Sequence, residues 1–147
     1  MIHIPELSAE KVCPDLLTFI QQNPWHQHLG VQVEQLLKGS ARLRLPFRPE
    51  FIGNADRGAL HGGVLASLAD ICAIATVWTF CRPADRSATV DLKVDYLRPA
   101  PLEDMIAEGE IRMLGNHLGN VSVYIRPAST PDRTVAEARA VCYTVRA

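Results

Sequence analysis

The sequence predicts one α+β domain over residues 1–147, in which an antiparallel β-sheet wraps around a single long central helix. Residues 64–80 contain no Gly or Pro and are apolar on almost every side, so they predict a buried helix about 25 Å long. Two strand-like runs precede this helix and four follow it, with turn residues between them. An amphipathic sheet must bury one face, and the predicted helix is the one element long enough to cover it.

The elements before the central helix are short, and the first 29 residues predict a helical and loop segment. A helix is predicted over residues 14–22, and Asn23-Pro24 ends it. Two strands follow over residues 31–37 and 41–45, joined by the turn Lys38-Gly39-Ser40. Residues 50–63 are predicted to form a loop. The two strands alternate apolar with polar side chains, as a half-buried hairpin does.

Four strands are predicted after the central helix. They cover residues 88–97, 105–114, 121–126 and 134–145. In the first of these, Ala88, Val90, Leu92, Val94 and Tyr96 alternate with polar residues, which predicts that these five side chains share one face. Because turn signals separate the four strands at regular intervals, the sequence predicts a meander of antiparallel neighbours.

The composition excludes several classes of protein. The formal net charge of −1 provides no strong field for binding nucleic acid or an anionic membrane. The cysteines form no CxxC pair and no zinc-ligand spacing with histidine, so no metal is expected; they are Cys13, Cys72, Cys81 and Cys142. Free thiols, together with an opening segment that lacks signal-peptide character, predict a cytoplasmic location.

Asp70 is the one charged residue in the predicted central helix. Its carboxylate makes a membrane span a poor interpretation, and burying it costs several kcal/mol unless it is paired or in contact with water. Its neighbours at helical spacing are mostly small; they are Gly63, Ala66, Ser67, Ala73, Ile74 and Val77. Small neighbours predict a groove or the close approach of another chain, although a simple hydrogen bond from Ser67 to Asp70 is the alternative.

His61-Gly62-Gly63 stands at the amino end of the same helix. The first N–H groups of a helix lack intrahelical acceptors and carry partial positive charge, and glycine lets a ligand approach them. Such a helix start can stabilise an oxyanion. The alternative is a junction that needs glycine only for its flexibility, with His61 as a cap.

Gly62 and Asp70 are separated by eight residues, or about 12 Å along the helix axis. They therefore cannot both contact one carbonyl group within a single chain. If both act on the same bond, one of them must come from a second copy of the chain. The sequence thus predicts a homodimer with two composite sites.

Asn54, residues 58–70 and the strand end Tyr96-Leu97-Arg98-Pro99-Ala100 resemble a known signature. The order Asn, His-Gly-Gly and an acid seven positions after the second glycine is similar to that of hotdog-fold acyl-CoA thioesterases of the phenylacetate-pathway (PaaI-like) type. The resemblance implies a hotdog fold and hydrolysis of an acyl-CoA thioester without a cofactor. It also implies homodimers that pair into a dimer of dimers.

The resemblance further assigns roles to individual residues. Asp70 would be the general base or the nucleophile, and the N–H group of Gly62 or Gly63 would polarise the thioester carbonyl. His61 and Asn54 would orient that carbonyl or the attacking water.

Further residues are candidates for contact with substrate. The resemblance implies a hydroxyl near the water at Thr89, and Ser67 lies on the helical face of Asp70. Phe51 and Ile74 are apolar candidates for an acyl pocket, and the acyl group could be aromatic, short or of medium length.

Two other functions remain open on the same fold. A hotdog dehydratase or hydratase also acts on acyl thioesters, but those relatives combine a catalytic histidine with an acid at another spacing. A non-catalytic acyl-CoA-binding protein would need the pocket without the chemistry.

Overall fold

The computed structural model describes residues 15–147, so Cys13 and Pro14 lie outside the described part. The elements are α1 Asp15–Gln22, α2 Pro24–Leu29, β1 Gln32–Leu37, β2 Ser40–Leu45, β3 Ile52–Asn54, β4 Ala59–Leu60, α3 Gly62–Trp78, β5 Arg86–Tyr96, β6 Met105–Leu114, β7 Leu118–Pro127 and β8 Ala136–Val145. The predicted α+β architecture is confirmed, with α3 as its central helix. None of the helices in residues 15–147 has the length and apolar character that crossing a membrane requires.

The main sheet has six antiparallel strands in the order β1-β2-β6-β7-β8-β5. Strands β6, β7 and β8 form a meander as predicted, but the prediction that β5 belongs to it beside β6 is wrong. Strand β5 pairs with β8 at the far edge of the sheet, and β6 pairs with β2. The reason is that α3 carries the chain across the face of the sheet, so β5 begins at the edge opposite β1.

Helix α3 packs on the inner face of this sheet. Leu68, Cys72 and Val77 are fully buried, and each large apolar side chain buried in this way contributes about 1.5–3 kcal/mol. Gly109 on β6 permits α3 to approach the sheet closely, because a Cβ added at Gly109 would lie 2.2 Å from the hydroxyl oxygen of Thr76. The side chains of Thr76 and Cys72 therefore pack directly against the backbone of β6 at this point.

The observed bounds of the central helix differ from the predicted residues 64–80. The helix begins two residues earlier, because His61 rather than Gly63 precedes its first turn. It ends at Trp78, where the N–H groups of Thr79 and Phe80 bond to carbonyls three residues back. The Thr79 hydroxyl also accepts from the N–H of Gly39 at 2.8 Å, which ties the β1–β2 turn to the end of α3.

Two regions predicted as irregular contain short elements. Asn23-Pro24 ends α1 as predicted but also begins α2, because the Asn23 side chain accepts from the N–H groups of Trp25 and His26. The predicted loop over residues 50–63 contains β3 and β4, a small hairpin that leads into α3. Such elements are too short to show a periodic pattern, which is why the sequence did not reveal them.

A β-bulge corrects the predicted face of β5. Thr89 faces Cys142 and Asp91 faces Val141, so Val90 is an extra residue in this strand. Val90 is consequently 61% exposed, and Thr89 joins the inward side with Leu92. The alternation of inward and outward side chains predicted for this strand therefore holds only for the residues after Val90.

Asp85 connects the segment after α3 to the carboxyl end of the chain. Its side chain is fully enclosed and accepts from the N–H groups of Arg82 and Ala147 and from the guanidinium of Arg146. These hydrogen bonds, the one from the Arg82 backbone first, hold the pKa of the Asp85 carboxyl well below its usual range.

We expect Asp85→Asn to lower the free energy of unfolding at neutral pH. The depressed pKa means that the ionised carboxyl stabilises the fold above the ordinary carboxyl range, and that this stabilisation is lost as the pH falls through the folded-state pKa. Urea unfolding at several pH values measures the free energy of unfolding of both proteins. The wild type and the variant should converge in acid, whereas the exposed Asp132→Asn should follow the wild type throughout.

Candidate functional site

His61 is the N-cap of α3. Its backbone is extended, and its Nδ1 accepts a hydrogen bond from the N–H of Gly63 at 2.9 Å. The His61 carbonyl accepts from the N–H groups of Val64 and Leu65. A neutral imidazole that accepts at Nδ1 carries its proton at Nε2, so the ring presents an N–H donor on its other edge.

The two glycines of the helix start are therefore not equivalent. The N–H of Gly63 is already used by the cap, whereas the N–H of Gly62 has no acceptor in residues 15–147. Gly62 is thus the better candidate for binding an oxygen atom at this helix end. The sequence could not distinguish them, because the direction of the His61 ring decides which one is free.

Tyr96 and Gly53 position this helix start, and sequence reasoning assigned neither a role. The Tyr96 hydroxyl donates to the carbonyl of Gly62 at 2.9 Å, and its ring would lie 3.2 Å from a Cβ added at Gly62. A Cβ at Gly53 would lie 2.5 Å from the Cα of His61, so only glycine fits there. The sequence features that could have identified them were the end of the predicted strand at Tyr96 and the glycine immediately before Asn54.

Asn54 is exposed in β3, close in sequence to the hairpin turn. Its side-chain oxygen accepts from the N–H of Arg57 at 3.0 Å and so closes the turn over residues 54–57. This bond assigns the amide orientation and leaves the NH₂ group as the donor for any ligand.

Asp70 lies half-buried in the middle of α3. Its carboxylate has no hydrogen bond or ion pair with any other residue in the described part of the chain, and so none from Ser67. The buried polar side chain of this helix is satisfied, since Thr76 donates to the carbonyl of Cys72 at 2.7 Å. Asp70 is therefore a charged group that the described part of the chain leaves available to a ligand or to a second chain.

Thr89 on β5 faces Cys142 on the neighbouring strand β8. Their side chains are 3.9 Å apart, and the bulge in β5 is what turns Thr89 inward. Burial raises the pKa of the Cys142 thiol to about 11, the Thr89 hydroxyl opposes this, and the negative charge of Asp70 adds to it. Cys142 is therefore a neutral thiol near neutral pH and a poor nucleophile.

The apolar candidates lie in the core. Phe51 and Ile74 are each 7% exposed and belong to the main hydrophobic cluster. Phe51 also supports the helix start, because its carbonyl accepts from the N–H of His61 at 2.8 Å. Ile74 follows Asp70 by one helical turn, on the same side of α3.

One chain thus holds two separate groups of candidate residues. His61 and Gly62 form the start of α3, Asn54 lies in the hairpin that leads into it, and a cleft of about 340 Å³ is lined by Gly62, Tyr96 and Arg98. Asp70 stands about 12 Å further along the helix axis, as its eight-residue separation from Gly62 requires. No group of three or more potential metal ligands occurs among residues 15–147.

Comparison with known proteins gives a consistent set of relatives. The sequence profile of the thioesterase superfamily matches residues 57–125. A Halobacterium salinarum protein whose name describes an esterase is 35% identical over 133 residues, and the match covers 88% of this chain and 87% of that protein. The medium/long-chain acyl-CoA thioesterase YigI of Escherichia coli is 32% identical over 111 residues, covering 67% of this chain and 72% of its own.

A solved structure shares the fold at lower identity. The PaaI protein of the Escherichia coli phenylacetic acid degradation operon superposes with a TM-score of 0.73 at 21% identity, covering 87% of this chain and 88% of its own. This confirms the hotdog fold that the resemblance implied.

We expect His61→Ala to destabilise the protein by about 1 kcal/mol, because the N–H of Gly63 loses its acceptor. His61→Asn should restore most of this loss, since Asn is among the best N-cap residues and its side chain can accept the same bond. Denaturant unfolding measures both variants. Equal destabilisation by Ala and Asn would show that the cap hydrogen bond does not stabilise α3.

Proposed function

Because this chain belongs to the thioesterase superfamily and is a thioester hydrolase, we propose that it hydrolyses acyl-CoA esters with Asp70 as the base or nucleophile. The observation that carries the proposal is the carboxylate of Asp70, which has no partner in residues 15–147 although the helix around it is packed. Such a group is available to take a proton from water or to attack a carbonyl carbon.

The proposed reaction needs few groups because a thioester is already an activated acyl compound. In one form, Asp70 takes a proton from water as the water oxygen attacks the carbonyl carbon. In the other, an Asp70 oxygen attacks directly and forms an acyl anhydride, which water then cleaves. In both forms the carbonyl becomes an oxyanion, the C–S bond breaks, and the products are the free acid and CoA.

The N–H of Gly62 is proposed as the oxyanion donor. It is the N–H group at the His-Gly-Gly helix start that the cap leaves free, and the partial positive charge of the helix start favours an anion. The imidazole of His61 and the amide of Asn54 are proposed to orient the carbonyl or the water. Ser67 and Thr89 remain candidates for contact with the substrate.

The proposed active unit is a homodimer, because Asp70 and Gly62 are too far apart to act together within one chain. Strand β5 supports this assembly: it is 11 residues long and lies at the edge of the sheet, and within residues 15–147 its one neighbouring strand is β8. A second β5 paired there would continue the sheet and satisfy its unpaired backbone groups. Pairing of such dimers into a tetramer stays a prediction, which analytical ultracentrifugation can check.

The substrate class is proposed from chemistry and from relatives. The Escherichia coli relative is named for medium and long acyl chains, and this supports acyl-CoA as the thioester. The cytoplasm, where acyl-CoA is made and used, is the proposed location.

We expect Asp70→Asn to lower thiol release from acyl-CoA at least ~100-fold, because the variant can neither accept the proton nor attack. The assay follows free CoA across a panel of acyl groups. Asp95→Asn, which removes an exposed carboxylate from β5, is the matched control and should keep wild-type turnover.

The same variant separates the rival functions. Saturable acyl-CoA binding by both proteins without hydrolysis by either would identify a binding protein. Addition of water to an enoyl-CoA, without thiol release, would identify a hydratase.

Gly62→Pro should abolish turnover while leaving α3 in place. Proline fits the first helical position, and the extended backbone of His61 is the one that a following proline requires, so the main loss is the N–H group. Gly62→Ala is the control, since it adds the same Cβ near Tyr96 but keeps the N–H.

Mixing Gly62→Pro with Asp70→Asn then tests the composite site. Each hybrid dimer would hold one site in which both wild-type groups are present, so random exchange of subunits should restore about a quarter of wild-type activity. A site made within one chain predicts no restoration.

A further inference from the structure

The peptide group between Gly62 and Gly63 is held at both of its polar ends. Its carbonyl oxygen accepts a hydrogen bond from the Tyr96 hydroxyl at 2.9 Å. Its N–H group donates to Nδ1 of His61, also at 2.9 Å. Glycine restricts its own backbone less than any other residue does, so at a pair of glycines these two bonds supply the restriction that side chains cannot.

The sheet sets the position from which the Tyr96 hydroxyl donates. Tyr96 pairs with Ala136 of β8, and the next residue, Leu97, donates its N–H to the carbonyl of Val135 at 2.8 Å. The Tyr96 ring covers Gly62, since a Cβ added at Gly62 would lie 3.2 Å from two of its carbon atoms. Tyr96 therefore connects the end of β5 to the first turn of α3.

The three groups form a chain of hydrogen bonds with one direction. The carbonyl oxygen can only accept, so the Tyr96 hydroxyl must donate to it. A donor at the oxygen of an amide strengthens the N–H of that amide as a donor, here to Nδ1 of His61. A neutral imidazole that accepts at Nδ1 is protonated at Nε2, and the accepted bond makes its Nε2–H a stronger donor. The chain of bonds thus ends at the ring nitrogen that the cap does not use.

We propose that Tyr96 is a positioning residue of the proposed active site: through the Gly62–Gly63 peptide group, its hydroxyl holds His61 in the tautomer that donates from Nε2. This inference rests on the proposed function, in which His61 orients the thioester carbonyl or the attacking water. A carbonyl oxygen can be bound only by a donor, and the other tautomer would present a lone pair at Nε2 instead.

A packing role is the alternative for Tyr96, because its ring also covers Gly62. Tyr96→Phe separates the two roles, since it keeps the ring and removes the hydroxyl. Tyr143→Phe is the matched control: it removes a phenol hydroxyl from β8, where the ring stacks on His117 at 5.7 Å.

The first test needs no turnover. Nitrogen NMR of histidine side chains in mildly alkaline buffer distinguishes a ring protonated at Nε2 from one protonated at Nδ1, and His61→Ala assigns the His61 signals. Wild-type His61 should be protonated at Nε2, and Tyr96→Phe should lower the ratio of this tautomer to the other about threefold or more. The Tyr143→Phe variant should give the wild-type ratio.

His26 serves as an internal reference in the same spectra. Its Nδ1 lies 2.8 Å from the carbonyl oxygen of Ile20 and must donate to it, so a neutral His26 carries its proton on Nδ1, the opposite of His61. The Tyr96→Phe substitution should leave the His26 signals unchanged.

Kinetics of acyl-CoA hydrolysis provide the second test. Tyr96→Phe should lower kcat about three- to tenfold, the size of one lost hydrogen bond, because the substrate is oriented less well. KM should change by less than about twofold, since the hydroxyl contacts the backbone and not the ligand. In the His61→Ala variant the same substitution should change kcat by less than about twofold, because no imidazole is left to hold.

Three results would overturn this inference and leave the proposed function standing: a wild-type His61 protonated at Nδ1, a His61 tautomer ratio that Tyr96→Phe does not change, or an equal fold-loss of kcat from Tyr96→Phe with and without His61. The absence of thiol release from every acyl-CoA by the wild type would instead overturn the proposed function, whatever the tautomer of His61.

Discussion

The packing of one apolar helix onto the inner face of the sheet is the constraint on which the rest of the structure depends. Because α3 touches five strands, its side chains must be apolar or must satisfy their own polar groups. Thr76 and Thr79 do so by bonding to carbonyls of the preceding turn. Asp70 does not, and it lies half-exposed in the middle of α3. The proposed site lies where the packing of this helix is incomplete.

The same helix explains why the proposed site groups are divided. A helix offers free N–H donors only at its start, whereas Asp70 lies in its middle. The two groups cannot contact one carbonyl within one chain, since about 12 Å separates Gly62 from Asp70. A second copy is a simple way to bring them together, and the open edge of β5 offers the surface for it. In this proposal, the association of two chains completes the active site and also continues the sheet across the two β5 strands.

His61 illustrates how one capping side chain can decide which N–H donor of a helix start is already used. Its Nδ1 caps the helix through Gly63, which keeps the imidazole in one orientation and directs the free donor role to Gly62. Gly53 and Tyr96 support this arrangement from the hairpin and from β5.

The sequence by itself determined the central helix, its lone acid and the His-Gly-Gly motif at its start, because these follow from local composition and spacing. It also revealed that Gly62 and Asp70 lie too far apart within one chain. Only the tertiary structure decided that β5 pairs with β8, that a bulge at Val90 turns Thr89 inward, and that within residues 15–147 the cap uses the N–H of Gly63 and not that of Gly62. Each of these depends on a partner distant in sequence or on the direction of a side chain, and neither leaves a periodic pattern along the chain.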